Sequence, residues 1–128
     1  MGNLGKKILI VEDEISLLKA LEEKFAHEGF EVLKARNGEE GLQTALLNHP
    51  DIILLDIIMP KMDGITVIKE LRKDAWGKNA KIILLTNLSS PESVTEAIQN
   101  NVFDYLVKTN WKLEAIVLKV KTMLGIAA

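Results

Sequence analysis

Short runs of branched apolar residues alternate along the chain with longer segments in which apolar residues recur at helical spacing. Three runs, at residues 8–11, 52–55 and 82–85, each hold four consecutive apolar side chains. Because such a run cannot alternate between core and solvent, it predicts a strand buried on both faces. Strands of this kind are typical of a parallel sheet that helices cover on both sides.

The remaining segments complete a regular alternation of strand and helix. Glu31–Ala35 is partly polar and predicts an edge strand, and a fifth strand is expected over residues 102–108. Gly29 predicts the end of the first helix, and Ser90 with Pro91 predicts the start of the fourth. The predicted helices cover residues 15–28, 37 or 38 to just before Pro50, 64–73, 90 or 91 to 100, and a last segment capped by Asn110.

A βα unit repeated five times restricts the topology. Crossovers between parallel strands are right-handed, and the polar second strand belongs at an edge. The predicted fold is therefore an α/β, doubly wound, flavodoxin-like (βα)5 domain with a five-stranded parallel sheet of order 2-1-3-4-5. Its switch point, where ligands bind in such sheets, lies between strands 1 and 3.

Composition narrows the class of protein. A chain of 128 residues with 48% hydrophobic content predicts one domain spanning residues 1–128. A formal net charge of −2 disfavours nucleic acid or an anionic membrane as a direct partner. There is no cysteine for a disulfide, and the apolar runs are too short to cross a bilayer. We expect a cytoplasmic protein.

Acidic residues follow the two strands that flank the predicted switch point. Glu12 and Asp13 come directly after strand 1, and Asp56 ends strand 3. Carboxylates this close repel one another unless a cation joins them, and hard oxygen ligands suit Mg²⁺. The simpler alternative is that these acids cap helices or loop amides, and for Glu14 we prefer that role.

The other strand ends add a hydroxyl, at Thr86, and a positive charge, at Lys108. A metal, a lysine and a hydroxyl around a carboxylate nucleophile are the groups that phosphoryl transfer requires. No glycine-rich loop follows strand 1, which argues against nucleotide binding by the usual route.

Taken together, these residues resemble the receiver domain of two-component response regulators, in the single-domain form of the chemotaxis regulators. The resemblance covers nearly the whole chain and rests on Glu12-Asp13, Asp56 with Met59-Pro60 and Gly64, Thr86, and Tyr105 shortly before Lys108.

The resemblance implies a metal-dependent phosphoacceptor. Asp56 would accept a phosphoryl group from a histidine kinase or phosphotransfer protein. Asp13, Asp56 and the Ile58 backbone carbonyl would bind Mg²⁺ directly, and Glu12 would hold it through water. Lys108 would pair with the phosphoryl group. The domain would be a signalling switch that catalyses only its own phosphorylation and dephosphorylation, not a conventional enzyme.

The resemblance also implies how the signal leaves the site. Thr86 would hydrogen-bond to the phosphoryl group, and Tyr105 would act as an aromatic rotamer switch. The face made by helix 4, strand 5 and helix 5 would contact an output protein or effector domain that the sequence does not identify. A phosphorylation-dependent dimer is left open.

The chain departs from the usual receiver pattern at a few positions. Thr109 follows Lys108 where a proline after a cis bond is common, and we expect a trans bond because cis bonds before other residues are costly. Asn87 replaces a small residue. Ile58 and Leu88 are apolar where many relatives are polar, which predicts a long-lived phosphorylated form.

Two other classes of function stay open. A dehalogenase-like Mg²⁺-dependent phosphohydrolase also uses an aspartyl-phosphate, but it needs an acid/base Asp where this chain has Ile58, and it carries a substrate cap. A degenerate receiver that serves only as an interaction module is disfavoured by the intact acids, Thr86 and Lys108.

Overall fold

The fold is a five-stranded parallel sheet of order β2-β1-β3-β4-β5 with five α-helices. The computed structural model describes residues 4–86, 91–102, 104–108 and 112–126, and of Thr86 and Pro91 it describes the backbone alone. The predicted topology is confirmed. The elements are β1 (Lys7–Val11), α1 (Ile15–His27), β2 (Glu31–Ala35), α2 (Gly38–Asn48), β3 (Ile52–Asp56), α3 (Gly64–Arg72), a 3-10 turn (Gly77–Asn79), β4 (Ile82–Thr86), α4 (Pro91–Gln99), β5 (Asp104–Val107) and α5 (Leu113–Leu124).

Each of the three apolar runs lies inside the sheet, as its sequence predicts. Every residue of β3 is buried. Successive side chains of a strand point to opposite faces, so Ile53 and Leu55 join the core on one side while Ile52 and Leu54 join the core on the other. Within the described residues, no helix is both long and apolar enough to span a bilayer.

The register of the sheet brings the ends of β1 and β3 together. Val11, the last residue of β1, pairs with Leu55, and Asp56 pairs with Leu85 of β4. Because the strands are parallel, the residues that follow Val11 lie at the same edge of the sheet as Asp56. This edge is the switch point of the topology.

The fifth strand and the last helix differ from their predicted bounds. Val102 is buried but precedes the strand, and its N–H donates to the Ala97 carbonyl at 2.9 Å, which closes the end of α4. Lys108 lies in the turn after the strand. Helix α5 begins after its N-cap residue Lys112. The predicted cap residues Asn110 and Ser90 lie outside the described residues.

The face that α2 turns to the core is made of small residues. The buried residues of the helix are Gly38, Gly41 and Ala45, whereas Leu46 is 37% exposed. A Cβ at Gly41 would lie 2.8 Å from a Val11 methyl group, so α2 approaches β1 through its smallest residues. A larger residue at position 41 would therefore separate α2 from β1.

Arg72, at the end of α3, connects three segments at the opposite end of the sheet. Its guanidinium donates to the carbonyls of Gly77 at 2.6 Å and Ala80 at 3.0 Å in the connection to β4. It also donates to those of Asn100 at 2.8 Å and Asn101 at 3.2 Å, after α4. Burial lowers the pKa of the Arg72 guanidinium below its ordinary value.

Candidate functional site

Three carboxylates converge at the switch point. Asp56 ends β3, and Glu12 and Asp13 follow β1 directly. One oxygen of each lies within 4.8 Å of one oxygen of each of the others. Glu12 and Asp56 are buried, whereas Asp13 is exposed to solvent. The structure therefore brings together the acids that the sequence predicts at this edge.

Lys108 pairs with both buried acids. Its Nζ lies 2.9 Å from Glu12 Oε1 and 3.1 Å from Asp56 Oδ2, and only 14% of its side chain is exposed. Among the described residues, Glu12 Oε1 has no hydrogen-bond partner of good geometry, so its contact with Lys108 is an ion pair. The second oxygen, Oε2, accepts a hydrogen bond from the Glu14 N–H at 3.0 Å. Glu14 itself is the N-cap residue of α1, as predicted, but its side chain makes no cap hydrogen bond.

Burial controls the electrostatics of this group. It raises the pKa of both Glu12 and Asp56, although the contacts with Lys108 work in the opposite direction. Burial also acts to lower the pKa of Lys108, but its pairs with the two acids outweigh this, so the pKa of Lys108 is raised. Lys108 is therefore a fixed ammonium at neutral pH.

The backbone after β3 is shaped around Asp56. The Ile58 N–H donates a hydrogen bond to the Asp56 carboxylate, and the Gly64 N–H donates to the Ile57 carbonyl at 2.7 Å. A Cβ at Gly64 would overlap the Asp56 carbonyl oxygen and lie 2.9 Å from Ile57 Cα. Only glycine lets the start of α3 come this close to the end of β3.

The acids form a donor set that fits a hard divalent cation. Carboxylate oxygens with a solvent-exposed side suit Mg²⁺, which keeps several water ligands and takes one or two carboxylates from the protein. Asp13 lies on the solvent-exposed side of the cluster, and Glu12 and Asp56 lie on its buried side. The predicted contribution of the Ile58 carbonyl stays a prediction.

The two predicted switch residues lie on neighbouring strands. Thr86 ends β4 and pairs with Val107 of β5, but its side chain is outside the described structure. Tyr105 lies on β5 and is 44% exposed. Asn87, Leu88 and the Lys108–Thr109 bond also lie outside the described residues.

Two contacts at the site were not predicted from the sequence. These are the ion pair between Lys108 and Glu12 and the hydrogen bond from the Ile58 N–H to Asp56. Gly64 could have indicated a tight loop around Asp56. A hydrogen bond from a backbone N–H cannot be predicted from residue type, because nearly every residue has this donor. The Lys108 contact depends on the reach of a side chain across the sheet.

Residues 8–121 match the family model of the response regulator receiver domain. The chain is 42% identical over 103 residues to the probable transcriptional regulator ycf27 of Cyanophora paradoxa, covering 80% of this chain and 42% of that protein. It thus spans less than half the length of that relative.

Solved structures of receiver proteins are also similar to this chain. The chemotaxis response regulator CheY4 of Vibrio cholerae superposes with a TM-score of 0.84 at 30% identity, over 91% of this chain and 97% of that one. The CheX–CheY–BeF3–Mg²⁺ complex of Borrelia burgdorferi gives a TM-score of 0.82 at 30% identity, over 93% and 89% of the two chains.

Receiver domains are signalling domains and not conventional enzymes, and the acidic cluster is consistent with phosphorylation-dependent signalling. With its sheet order, its cluster of acids and its matches to both sequences and structures, the chain belongs to the response regulator receiver domain family.

Proposed function

We propose that Asp56 accepts a phosphoryl group from a phosphohistidine on a histidine kinase or phosphotransfer protein, with Mg²⁺ held by Glu12, Asp13 and Asp56. The observation that carries the proposal is a buried carboxylate, Asp56, that lies beside a fixed ammonium and within reach of two further acids. Two buried carboxylates share this one ammonium, and burying the excess negative charge is costly, so the arrangement has a use beyond stability.

The transfer is a displacement at phosphorus. An oxygen of Asp56 forms the new P–O bond while the bond from phosphorus to the donor imidazole nitrogen breaks, and the electron pair leaves with the imidazole. With a small acyl phosphate the broken bond is P–O, and a carboxylate leaves. Bound Mg²⁺ neutralises charge on the phosphoryl oxygens, which is the main need of such a transfer.

The residues around Asp56 would position its carboxylate and neutralise the charge of the phosphoryl group. The Ile58 N–H fixes the orientation of the Asp56 carboxylate, and Gly64 lets α3 close the loop behind it. Lys108, already 3.1 Å from Asp56, is placed to pair with the phosphoryl group once it is attached. The likeness to a CheY solved with BeF3 and Mg²⁺ supports a metal-dependent acceptor here.

Signal output is proposed to run through α4, β5 and α5. Each presents an exposed apolar side chain: Ile98 at 47%, Tyr105 at 44% and Leu118 at 52%.

A switch that moves the population of the active conformation from 1:99 to 99:1 needs about 5.5 kcal/mol of differential interaction. One hydrogen bond to a charged acceptor gives roughly 1.5–3 kcal/mol, so Thr86 needs the Lys108 pair and burial of Tyr105 to complete the switch.

The output partner is proposed to be an effector domain or a separate protein. The ycf27 relative is a probable transcriptional regulator more than twice the aligned length, so a DNA-binding effector is one such output. The net charge of −2 makes direct DNA binding by this domain itself the weaker proposal.

The proposal is tested by phosphate uptake from acetyl phosphate, followed by intact-protein mass spectrometry. Uptake is expected with Mg²⁺, is expected to stop with a chelator, and is expected to slow about a hundredfold or more in Asp13→Asn and Lys108→Ala because positioning and charge neutralisation are lost. Uptake that is unchanged by the chelator and by both substitutions would contradict the metal-dependent mechanism.

A further inference from the structure

The loop between β3 and α3 packs against the first residue of α2. A Cβ at Gly38 would overlap the Met62 carbonyl oxygen and would lie 2.6 Å from the Met62 carbonyl carbon and 2.8 Å from Met62 Cβ. Real Cβ atoms do not approach backbone this closely. The loop between β3 and α3 therefore packs on Gly38 at Met62. Gly38 is distant from Asp56 in sequence and does not belong to the acidic cluster.

The loop itself is strained at this contact. Lys61 has a φ of 68°, and the Met62 N–H donates to the Pro60 carbonyl at 2.8 Å, which closes a γ-turn around Lys61. A positive φ is sterically unfavourable for any residue with a Cβ. Such a conformation persists only where the surroundings hold it.

The start of α2 is a firm support for this turn. The Asn37 side chain caps the helix by accepting the Glu40 N–H at 2.9 Å, and Glu40 Oε1 accepts the N–H of Arg36, the residue before the cap, at 3.3 Å. The preceding strand is tied to the acidic cluster, because the Glu12 N–H donates to the Ala35 carbonyl at 3.0 Å. Gly38 and Glu12 are thus connected through the end of β2.

We propose that Gly38 is a positioning residue for the phosphorylation of Asp56. It acts through Met62, whose backbone it holds, on the loop whose Ile58 N–H orients the Asp56 carboxylate. A side chain at position 38 would push the loop away from α2 and change the placement of Ile58 relative to Glu12 and Asp13. The inference rests on the proposed function, since it concerns the rate of that reaction.

The test compares Gly38→Ala with a matched control, Gly77→Ala. A Cβ at Gly77 would also overlap a backbone carbonyl oxygen, that of Leu71, but at the opposite end of the sheet. Phosphate uptake is measured over a range of acetyl phosphate concentrations at saturating Mg²⁺, on protein shown to be folded. We expect the maximal rate of Gly38→Ala to fall about tenfold or more, because small misplacements are costly in transfer reactions. We expect that of Gly77→Ala to stay within about twofold of wild type, because its overlap lies far from the reacting groups.

A second pair of variants separates positioning from stability. Lys61→Gly relaxes the turn, so Gly38→Ala is expected to lose less of the rate in that background than alone, whereas Gly77→Ala is expected to be unaffected by it. If Gly38→Ala does not fold, Met62→Gly removes the side chain that lies beside Gly38 and frees the backbone of the same turn without adding atoms, so it is expected to slow uptake by a similar factor.

The outcomes are distinguishable. Equal maximal rates in the two alanine variants, or a Met62→Gly rate within about twofold of wild type, would overturn the positioning role. A wild-type chain that takes up no phosphate would overturn the proposed function and the inference with it.

Discussion

The ammonium of Lys108 lies 2.9 Å from a carboxylate oxygen of Glu12, although the two residues follow strands that are not neighbours in the sheet. Lys108 follows β5, and its side chain reaches past the ends of β4 and β3 to the residue after β1. On the way it contacts Asp56 at 3.1 Å. One cation therefore serves both buried acids of the site, and a change to any of the three residues alters the electrostatics of the other two.

Mg²⁺ should stabilise the fold through Asp13. A metal present at about 100 times its dissociation constant raises the free energy of unfolding by about 2.7 kcal/mol if it binds only the folded state. Asp13→Asn removes one exposed ligand and should reduce this gain by more than half. Urea unfolding with and without Mg²⁺ measures it, with Glu39→Gln as the control because Glu39 is an exposed acid on α2. Equal gains in both variants would argue against the site.

Without metal, the two buried acids should make stability fall as pH rises. Burial places the folded-state pKa of Glu12 above its ordinary 4.5 and that of Asp56 above its ordinary 3.8. In the window between the ordinary and the raised pKa values the folded state binds more protons, so the free energy of unfolding decreases with pH there. These groups thus favour folding below pH 4 or so and lose that contribution above the window.

The check is urea unfolding at a series of pH values in a chelator, for the wild type and Asp56→Asn. The stability of Asp56→Asn minus that of the wild type should grow from about pH 4 upward, because the variant lacks one of the two titrating acids. A difference that shrinks over this range would show that the pKa of Asp56 is lowered in the folded state.

The guanidinium of Arg72 should matter for stability and not for the site. Arg72→Met leaves four carbonyl hydrogen bonds unmade and should lower the free energy of unfolding by about 3 kcal/mol. Arg72→Lys should retain less than half of the stability that Arg72→Met loses, because an ammonium cannot reproduce the planar set of donors of a guanidinium. Lys73→Met, an exposed neighbour, should change stability by less than about 0.5 kcal/mol. Thermal or urea unfolding of the three variants decides the matter, and equal losses in Arg72→Met and Lys73→Met would refute the role given to Arg72.

The phosphorylated form should be long-lived because of Ile58. Hydrolysis needs a water held in line with phosphorus, and an apolar side chain beside the acceptor offers that water no hydrogen bond. Ile58 is 61% exposed, so Ile58→Asn changes the approach of water without emptying the core. Loss of phosphate from the purified phosphoprotein should be several-fold faster in Ile58→Asn, and unchanged in Leu47→Asn, which alters an exposed leucine of α2. Equal lifetimes in all three proteins would exclude this explanation.

The sheet and its acids were predictable because both follow from simple periodicities. Four consecutive apolar residues require a strand buried on both faces, a polar strand requires an edge, and the ends of parallel strands meet. Glu12, Asp13 and Asp56 could therefore be placed together without coordinates. Local chemistry was also sufficient for Gly29, whose φ of 97° ends the first helix as expected.

What the sequence did not predict depends on contacts that the pattern of side chains does not mark. Val102 is equally suitable for a strand and for closing a helix, and the Ala97 carbonyl decides between them. Leu46 has a spacing that would suit the core, but the face that α2 buries is made of Gly38, Gly41 and Ala45. The hydrogen bonds of Arg72 go to backbone carbonyls, which no side-chain pattern marks.

The most direct test of the account is the location of the phosphoryl group. Wild-type protein, Asp56→Asn and Asp51→Asn are incubated with acetyl phosphate and Mg²⁺, and intact masses and peptide maps are recorded. Asp51 lies just before the same strand, at its opposite end, where it accepts a hydrogen bond from the Lys7 N–H at 2.7 Å, so it controls for the loss of an aspartate there. The account predicts one phosphoryl group on Asp56 in the wild type and in Asp51→Asn, and none in Asp56→Asn. Phosphate uptake that persists in Asp56→Asn would contradict it.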